Sequence, residues 1–181
     1  MIDQETINAL FDMTYGLYIV SASAGEKMNG QLTNTVFQVT AEPPKMAVAV
    51  NKDNLTHEYI GQSLAYSVST LVEGAPMTFL GLFGFKSGRT VDKFSQTRHK
   101  RGQTGSPIVL EHAISAFEVR VNQTVDVGSH TLFIGEIVGG EVIAEGRPLT
   151  YDYYYRVMRG KTPRSAATYK PMDMKKEVHR P

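Results

Sequence analysis

The chain has no cysteine among its 181 residues. That single absence removes disulfides, thiol nucleophiles, iron–sulfur clusters and cysteine-bound zinc together. Redox chemistry in such a chain must come from a bound organic cofactor. Long apolar runs are also missing: those present are short and broken by charge or glycine, whereas a membrane helix needs about 20 mostly apolar residues. Neither charge is in excess, because 19 Lys and Arg against 18 Asp and Glu leave a net charge of +1. No global field draws this protein to nucleic acid. The opening MIDQETINAL carries acids early and lacks a basic start with an apolar centre, so the expectation is a cytoplasmic chain with no secretory signal. The Asn-x-Thr triplets at Asn54 and Asn122 would then carry no glycan.

Several familiar chemistries are excluded by incomplete motifs. His57-Glu58 begins a zinc-protease signature, but Gly61 stands where the second histidine is needed. Gly84-Phe85-Lys86-Ser87 resembles part of a phosphate loop, yet a phenylalanine separates glycine from lysine and the upstream glycine is misplaced. No Gly-x-Gly-x-x-Gly follows a strand pattern. None of the five histidines pairs with another at metal-ligand spacing. No internal repeat of about 20 to 50 residues is present.

What is present is strand. At 20.0 kDa the length fits one domain, which buries roughly 70% of its unfolded surface and needs no staple. Residues 15–23, 32–40, 45–51, 65–71, 114–127 and 130–146 are rich in β-branched and aromatic residues or alternate with period two. Short helices are predicted at Asp3–Phe11, after Asp53 or Asn54 with Gly61 as stop, and after Pro76. Glu42-Pro43-Pro44 enforces an extended turn, and Gly139-Gly140 marks a turn or bulge. The order predicts a mainly β fold with short helices, an antiparallel barrel rather than alternating βαβ units. Residues 1–160 are expected to form the domain and 161–181, with its loss of periodicity, a C-terminal arm. The YDYYY stretch suits either a core strand or a subunit interface.

Polar and charged residues that call for a binding reading fall in five places. Asn29, Gln31, Thr33, Asn34, Thr35, Gln38 and Thr40 put donors and acceptors along one strand segment; this suits a flat polar heteroaromatic ligand, and equally a solvated edge strand. Lys52, Asn54 and Thr56 sit at a helix start, which suits a phosphate or merely an N-cap. Lys86, Ser87, Arg89 and Lys93 surround Gly88, either as a phosphate site or as a surface loop. The basic run Arg98–Arg101 has no aromatic platform and reads as a solvated loop. His130 follows Gly128-Ser129 at the start of a strand, where a lone histidine is usually structural.

Taken together, MNGQLTNTVFQVTAEPPKMAVAVNKDNLTHEYI, SGRTVDKF, GSHTLFIGEI and RGKTPRSAATY, in this order and spacing, resemble the flavin reductase-like, FMN-binding split-barrel family. Within that family the likeness is to flavoredoxins and the flavin domain of high-molecular-weight rubredoxins. It runs from about Tyr15 to Tyr169. The resemblance implies a Greek-key antiparallel split barrel, a homodimer, and FMN near the subunit interface. It also implies that Gln31, Thr33, Asn34, Thr35, Gln38, Val39 and Thr40 line the flavin ring, with Asn51, Lys52, Asn54 and Thr56 along the ribityl chain and phosphate. Ser87, Arg89 and Lys93 would close over the phosphate, and His130, in a Gly-x-His motif, would dock the nicotinamide. The implied activity is hydride transfer from NAD(P)H to FMN, the reduced flavin serving a downstream acceptor. The alternative is a flavoredoxin-type FMN carrier fed by a partner protein; a flavin-free ligand-binding barrel is a third reading. With no cysteine to bind iron, a rubredoxin partner is expected to be a separate protein.

Overall fold

The structure, a computed structural model, describes residues 3–169. Asp3 caps the first helix, α1 (Gln4–Ala9), its carboxylate accepting from Thr6 N at 2.7 Å. Strands β1 (Tyr18–Ala24), β2 (Lys27–Thr33), β3 (Val36–Ala41) and β4 (Pro44–Asn51) follow. Helix α2 (Leu55–Ser63) and strand β5 (Ala65–Leu71) come next, then α3 (Met77–Phe85). The short pair β6 (His99–Arg101) and β7 (Pro107–Val109) precedes the long hairpin of β8 (Ala113–Asp126) and β9 (His130–Val142). Helix α4 (Tyr151–Arg156) lies last.

Seven strands form one antiparallel sheet in the order β2-β1-β5-β8-β9-β4-β3. Its two edge strands are consecutive in the chain, separated only by Asn34 and Thr35. Successive Cα atoms are about 3.8 Å apart, so the two edges meet within roughly 11 Å and the sheet must curl into a barrel. The barrel is split at that crossing, where β2 and β3 are not paired with each other. The expected single strand over 32–40 is therefore two. A continuous strand would keep pairing with one neighbour, whereas here the chain leaves β1 and bonds to β4, with Ala49 N donating to Thr35 O at 3.1 Å.

Alternation decides which side chains fill the barrel. Val20 and Ala22, Met46, Val48 and Val50, Tyr66 and Val68, and Val119 and Val121 form one apolar cluster, and α2 adds Tyr59 and Ile60 to it. On the opposite face Leu17, Ile19 and Leu71 join Phe79, Leu80 and Phe83 of α3 and Tyr154 of α4. β1 is thus buried on both faces. β3, by contrast, is exposed after Val36.

Other local departures have physical causes. α2 runs through Gly61 to Ser63 and stops where Leu64 takes a left-handed conformation, φ 50°. Val138 is the extra residue in β9, between Glu118↔Gly139 and Val119↔Ile137, which puts the bulge beside the glycine pair. YDYYY is neither strand nor loop but α4, capped by Thr150, whose hydroxyl accepts from Tyr153 N at 3.2 Å. The basic run is not a free loop: His99–Arg101 pairs with β7, Lys100 binds Glu141 at 2.8 Å and Arg101 binds Glu26 at 3.1 Å. Of the expected arm, residues 161–169 lie against the barrel, and the remainder lies outside the described residues.

Candidate functional site

The β2–β3 crossing opens into a cleft of about 270 Å³, near the lower end of small-molecule sites at about 300–1,000 Å³. β2 supplies Asn29, Gln31 and Thr33, and Asn34 follows at the break. Opposite, the start of α2 supplies Asn54, Leu55 and Thr56. The end of α3 and the loop behind it bring Phe83, Phe85, Lys86, Ser87 and Gly88. His130 enters from β9, aligned with Asn51 of β4 in the ladder. Pro163, Ser165, Ala166 and Ala167, from the segment after α4 that lies against the barrel, complete the lining as its cover.

Hydrogen bonds fix the polar wall. Asn51 Oδ1 accepts from Asp53 N at 2.9 Å, which turns the chain into α2. Asn54 makes no capping bond; its Nδ2 donates instead to Gln31 Oε1 at 3.1 Å. The first-turn N–H groups of α2, on cleft-lining Leu55 and Thr56, are consequently left without a cap at the positive end of the helix dipole. Thr56 is fully buried, and its Oγ1 accepts from Asn29 Nδ2 at 2.8 Å. Its own hydroxyl proton therefore remains for another acceptor.

Lys93 is the unusual group. It is 4% exposed, and its Nζ donates to Gly30 O at 2.8 Å and lies 5.7 Å from the centre of the Phe83 ring. No carboxylate pairs with it among the described residues. Burial pushes its pKa down to about 8, because a low-dielectric surrounding disfavours the charged form. A buried cation without a counter-charge, lining a cleft beside an uncapped helix start, suits an anion.

The structure brings Gln31, Thr33, Asn34, Asn51, Asn54, Thr56, Ser87, Lys93 and His130 together around the cleft. It places the other candidates elsewhere. Thr35 points its hydroxyl at Ala49 O, 3.1 Å away across the β3–β4 pair. Gln38, Val39 and Thr40 lie beyond, where the register shifts and β3 runs outward along β4. There Gln38 Nε2 donates to Thr40 O at 3.1 Å, and Thr40 Oγ1 donates to Pro43 O at 2.6 Å. Lys52 is held by Asp126 at 2.7 Å, and this amine together with Gly128 N–H keeps the Asp126 carboxyl below its ordinary range. Arg89 is paired with Glu58. Both His130 nitrogens are engaged inside the chain: Nε2 with Ser165 O at 3.2 Å and Nδ1 with Ser129 Oγ at 2.9 Å. The nicotinamide-docking role implied by resemblance requires one of these bonds to open.

Sequence reasoning did not single out Phe83, Phe85 or the Pro163–Ala167 cover. The phenylalanines carry the same apolar signal as helix core. The cover has no periodicity, and only its inclusion in the RGKTPRSAATY motif marked it.

The donor set fits FMN: Lys93, Thr56 and the α2 start suit a phosphate, and Gln31, Thr33 and Asn34 suit a polar ring edge, beside apolar Leu32, Phe85 and Pro163. Split barrel and anion-accepting cleft together define a flavin-binding barrel. The chain belongs to the flavin reductase like domain family, which it matches over residues 10–159. It is 46% identical over 161 residues to the high molecular weight rubredoxin of Moorella thermoacetica, covering 89% of this chain and 70% of that protein. To the ferric-chelate reductase (NAD(P)H) of Archaeoglobus fulgidus it is 43% identical over 163 residues, 90% of this chain and 96% of the other. The crystal structure of flavoredoxin from Methanosarcina acetivorans superposes with a TM-score of 0.69 at 26% identity, covering 80% of this chain and 74% of that one.

Proposed function

We propose that the protein is an oxidoreductase that transfers hydride from NAD(P)H to FMN held in the cleft and passes the electrons to a downstream acceptor. The observation that carries the FMN part of this reading is Lys93, buried in the cleft wall with no carboxylate partner among the described residues; the hydride donor is supported by the likeness to a ferric-chelate reductase (NAD(P)H). When bound, FMN supplies the hydride-accepting ring, so the protein needs no nucleophile of its own. Lys93, Thr56, Ser87 and the first-turn N–H groups of α2 hold the phosphate; Asn51 and Asn54 border the ribityl chain. Gln31, Thr33 and Asn34 orient the ring edge, and the Pro163–Ala167 cover shields it from water.

A second reading is supported by the likeness to a high molecular weight rubredoxin: FMN here receives electrons from, or gives them to, a partner protein such as a rubredoxin, without nicotinamide. Anaerobic mixing separates the two. Bleaching of the bound flavin by NADH or NADPH supports the reductase, and no bleaching by either supports the carrier. Protein that stays colourless after incubation with excess FMN and desalting sinks both.

The protein acts as a homodimer in this reading. Support comes from the exposed apolar side chains of β3, Phe37 and Val39. The α4 tyrosines turn inward instead, Tyr154 into the core and Tyr151 and Tyr153 against it. Sedimentation at the mass of one 20.0-kDa chain with FMN bound would remove the dimer. A cytoplasmic location agrees with the cysteine-free composition. Among the described residues no helix is long and apolar enough to cross a membrane.

A further inference from the structure

Residues 161–168 run along the cleft, which Pro163, Ser165, Ala166 and Ala167 line, and four side-chain hydrogen bonds hold the segment. Tyr154 Oη donates to Lys161 O at 2.9 Å, and the Tyr151 and Thr162 hydroxyls meet at 2.5 Å. Farther along, His130 Nε2 lies 3.2 Å from Ser165 O, and Asn34 Nδ2 donates to Thr168 Oγ1 at 2.8 Å. A carbonyl only accepts, so Nε2 donates to Ser165 O. Between the anchors the covering side chains are small. Pro163 and Ala166 line the cleft on one side and a second cavity of about 40 Å³ on the other. The segment is thus a thin wall between two spaces, fixed by hydrogen bonds more than by apolar burial. Segments of this kind open locally at far less than the cost of global unfolding.

We infer that residues 161–168 are a strap that sets how long FMN stays in the cleft, and that His130 is its latch. In this role His130 is a positioning residue, acting through the Ser165 carbonyl and not by touching nicotinamide. The inference rests on the flavin reading above. It also explains why the histidine stands at the first position of β9: from there a ring fixed by the barrel reaches the middle of the strap. The latch and Asn34 act on the distal half of the strap, while the α4 tyrosines hold its base. Loss of either distal bond should free the half that covers the cleft.

The test compares the parent with His130→Ala, His130→Gln and Thr168→Val by two measurements. The first is amide hydrogen exchange of residues 164–168 without ligand. The second is FMN release, followed as recovery of free-flavin fluorescence after dilution. Removing one hydrogen bond should speed both about fivefold, within the roughly two- to tenfold range of a single bond. His130→Gln, which keeps a donor, should restore part of the parent's behaviour. The rate at which saturating NAD(P)H reduces the flavin that remains bound in His130→Ala is followed as a third readout. Unchanged exchange in His130→Ala overturns the latch, whatever Thr168→Val shows. Faster exchange with unchanged FMN release overturns the retention role, as does slower reduction in His130→Ala with unchanged release, which returns the histidine to the nicotinamide. A parent that binds no FMN overturns the flavin reading and the retention role with it, while the exchange measurement still decides the latch.

Discussion

Two lysines beside the same helix start are in opposite states. Lys52, just before α2, reaches out to Asp126 and is a partly exposed ion pair. Lys93, across the cleft, is buried against Gly30 O and the Phe83 ring with no carboxylate near it among the described residues. Arg89 is on the Lys52 side of this divide, paired with Glu58. All three look alike in the sequence, as cations near glycine or a helix start. The difference teaches that a cation is available to a ligand only where the fold withholds a counter-ion, and that desolvation in the free protein is the cost of keeping it so.

The sharpest way to break the comparison is Lys93→Met, which keeps the apolar stem and removes the charge. Hydrogen bonds to charged groups contribute about 1.5–3 kcal/mol, so FMN affinity should fall roughly 10- to 100-fold. Riboflavin, which has no phosphate, should bind within about twofold of the parent. Fluorescence titration with both ligands measures the ratio. An equal loss for the two would show that Lys93 does not meet the phosphate.

Proton linkage gives the next effect. The buried Lys93 amine has its pKa pushed down to about 8 from an ordinary 10.5. Between these values the unfolded chain holds a proton that the folded one has released, so ligand-free stability rises with pH across that window. Below about 8 the amine is charged in both states and the burial penalty is fully present. The gain by pH 10.5 is about 2–3 kcal/mol, and Lys93→Met should flatten it in denaturant melts taken from pH 7 to 10.5. FMN affinity runs the other way. The phosphate needs the charged amine, so binding should weaken by up to about tenfold per pH unit above about 8, while riboflavin binding stays level. An FMN profile flat to pH 10 would refute the contact.

A smaller effect is expected at Gly88. A Cβ there falls inside the contact radius of Asn29 Oδ1, so Gly88→Ala must turn Asn29 away from the buried Thr56 hydroxyl it holds. Loss of that orientation should weaken FMN about fivefold, the range of one hydrogen bond. Riboflavin again serves as the control.

These residues also show what could be read beforehand. The strands were legible because period-two alternation at Val20/Ala22 or Val48/Val50 is a local signal of a barrel wall. The break at Asn34–Thr35 was not, since β-branched neighbours on both sides support an unbroken strand. Only the closure of the sheet, which is a long-range constraint, demands the crossing there. The polar β2 residues and the α2 start were legible as donors. Gln38, Val39 and Thr40 looked equivalent to them because composition does not show where a strand turns from a cleft. Pairing of Lys52 with Asp126 spans 74 positions and left no mark in either segment. Lys93 is buried against Phe83, ten positions away, and Gly30, 63 positions away, and neither contact shows in the local sequence.

The smallest predicted effects complete the comparison from its other side. Lys52→Ala and Arg89→Ala should change FMN affinity by less than about twofold, because exposed ion pairs have little net effect and their cations are already committed. Their partners make the stronger experiment. Asp126→Asn and Glu58→Gln each leave a cation unpaired near the α2 start, and if pairing is what keeps these cations from the ligand, FMN should then bind slightly tighter at low ionic strength. The gain should vanish in about 1 M salt, where the screening length is about 3 Å, whereas the Lys93 contact, being buried, should largely persist. Tighter binding that survives high salt would mean the released cation enters the cleft itself, and Lys52 or Arg89 would then belong beside Lys93. No change at any salt would leave Lys93 as the cation that reads the phosphate.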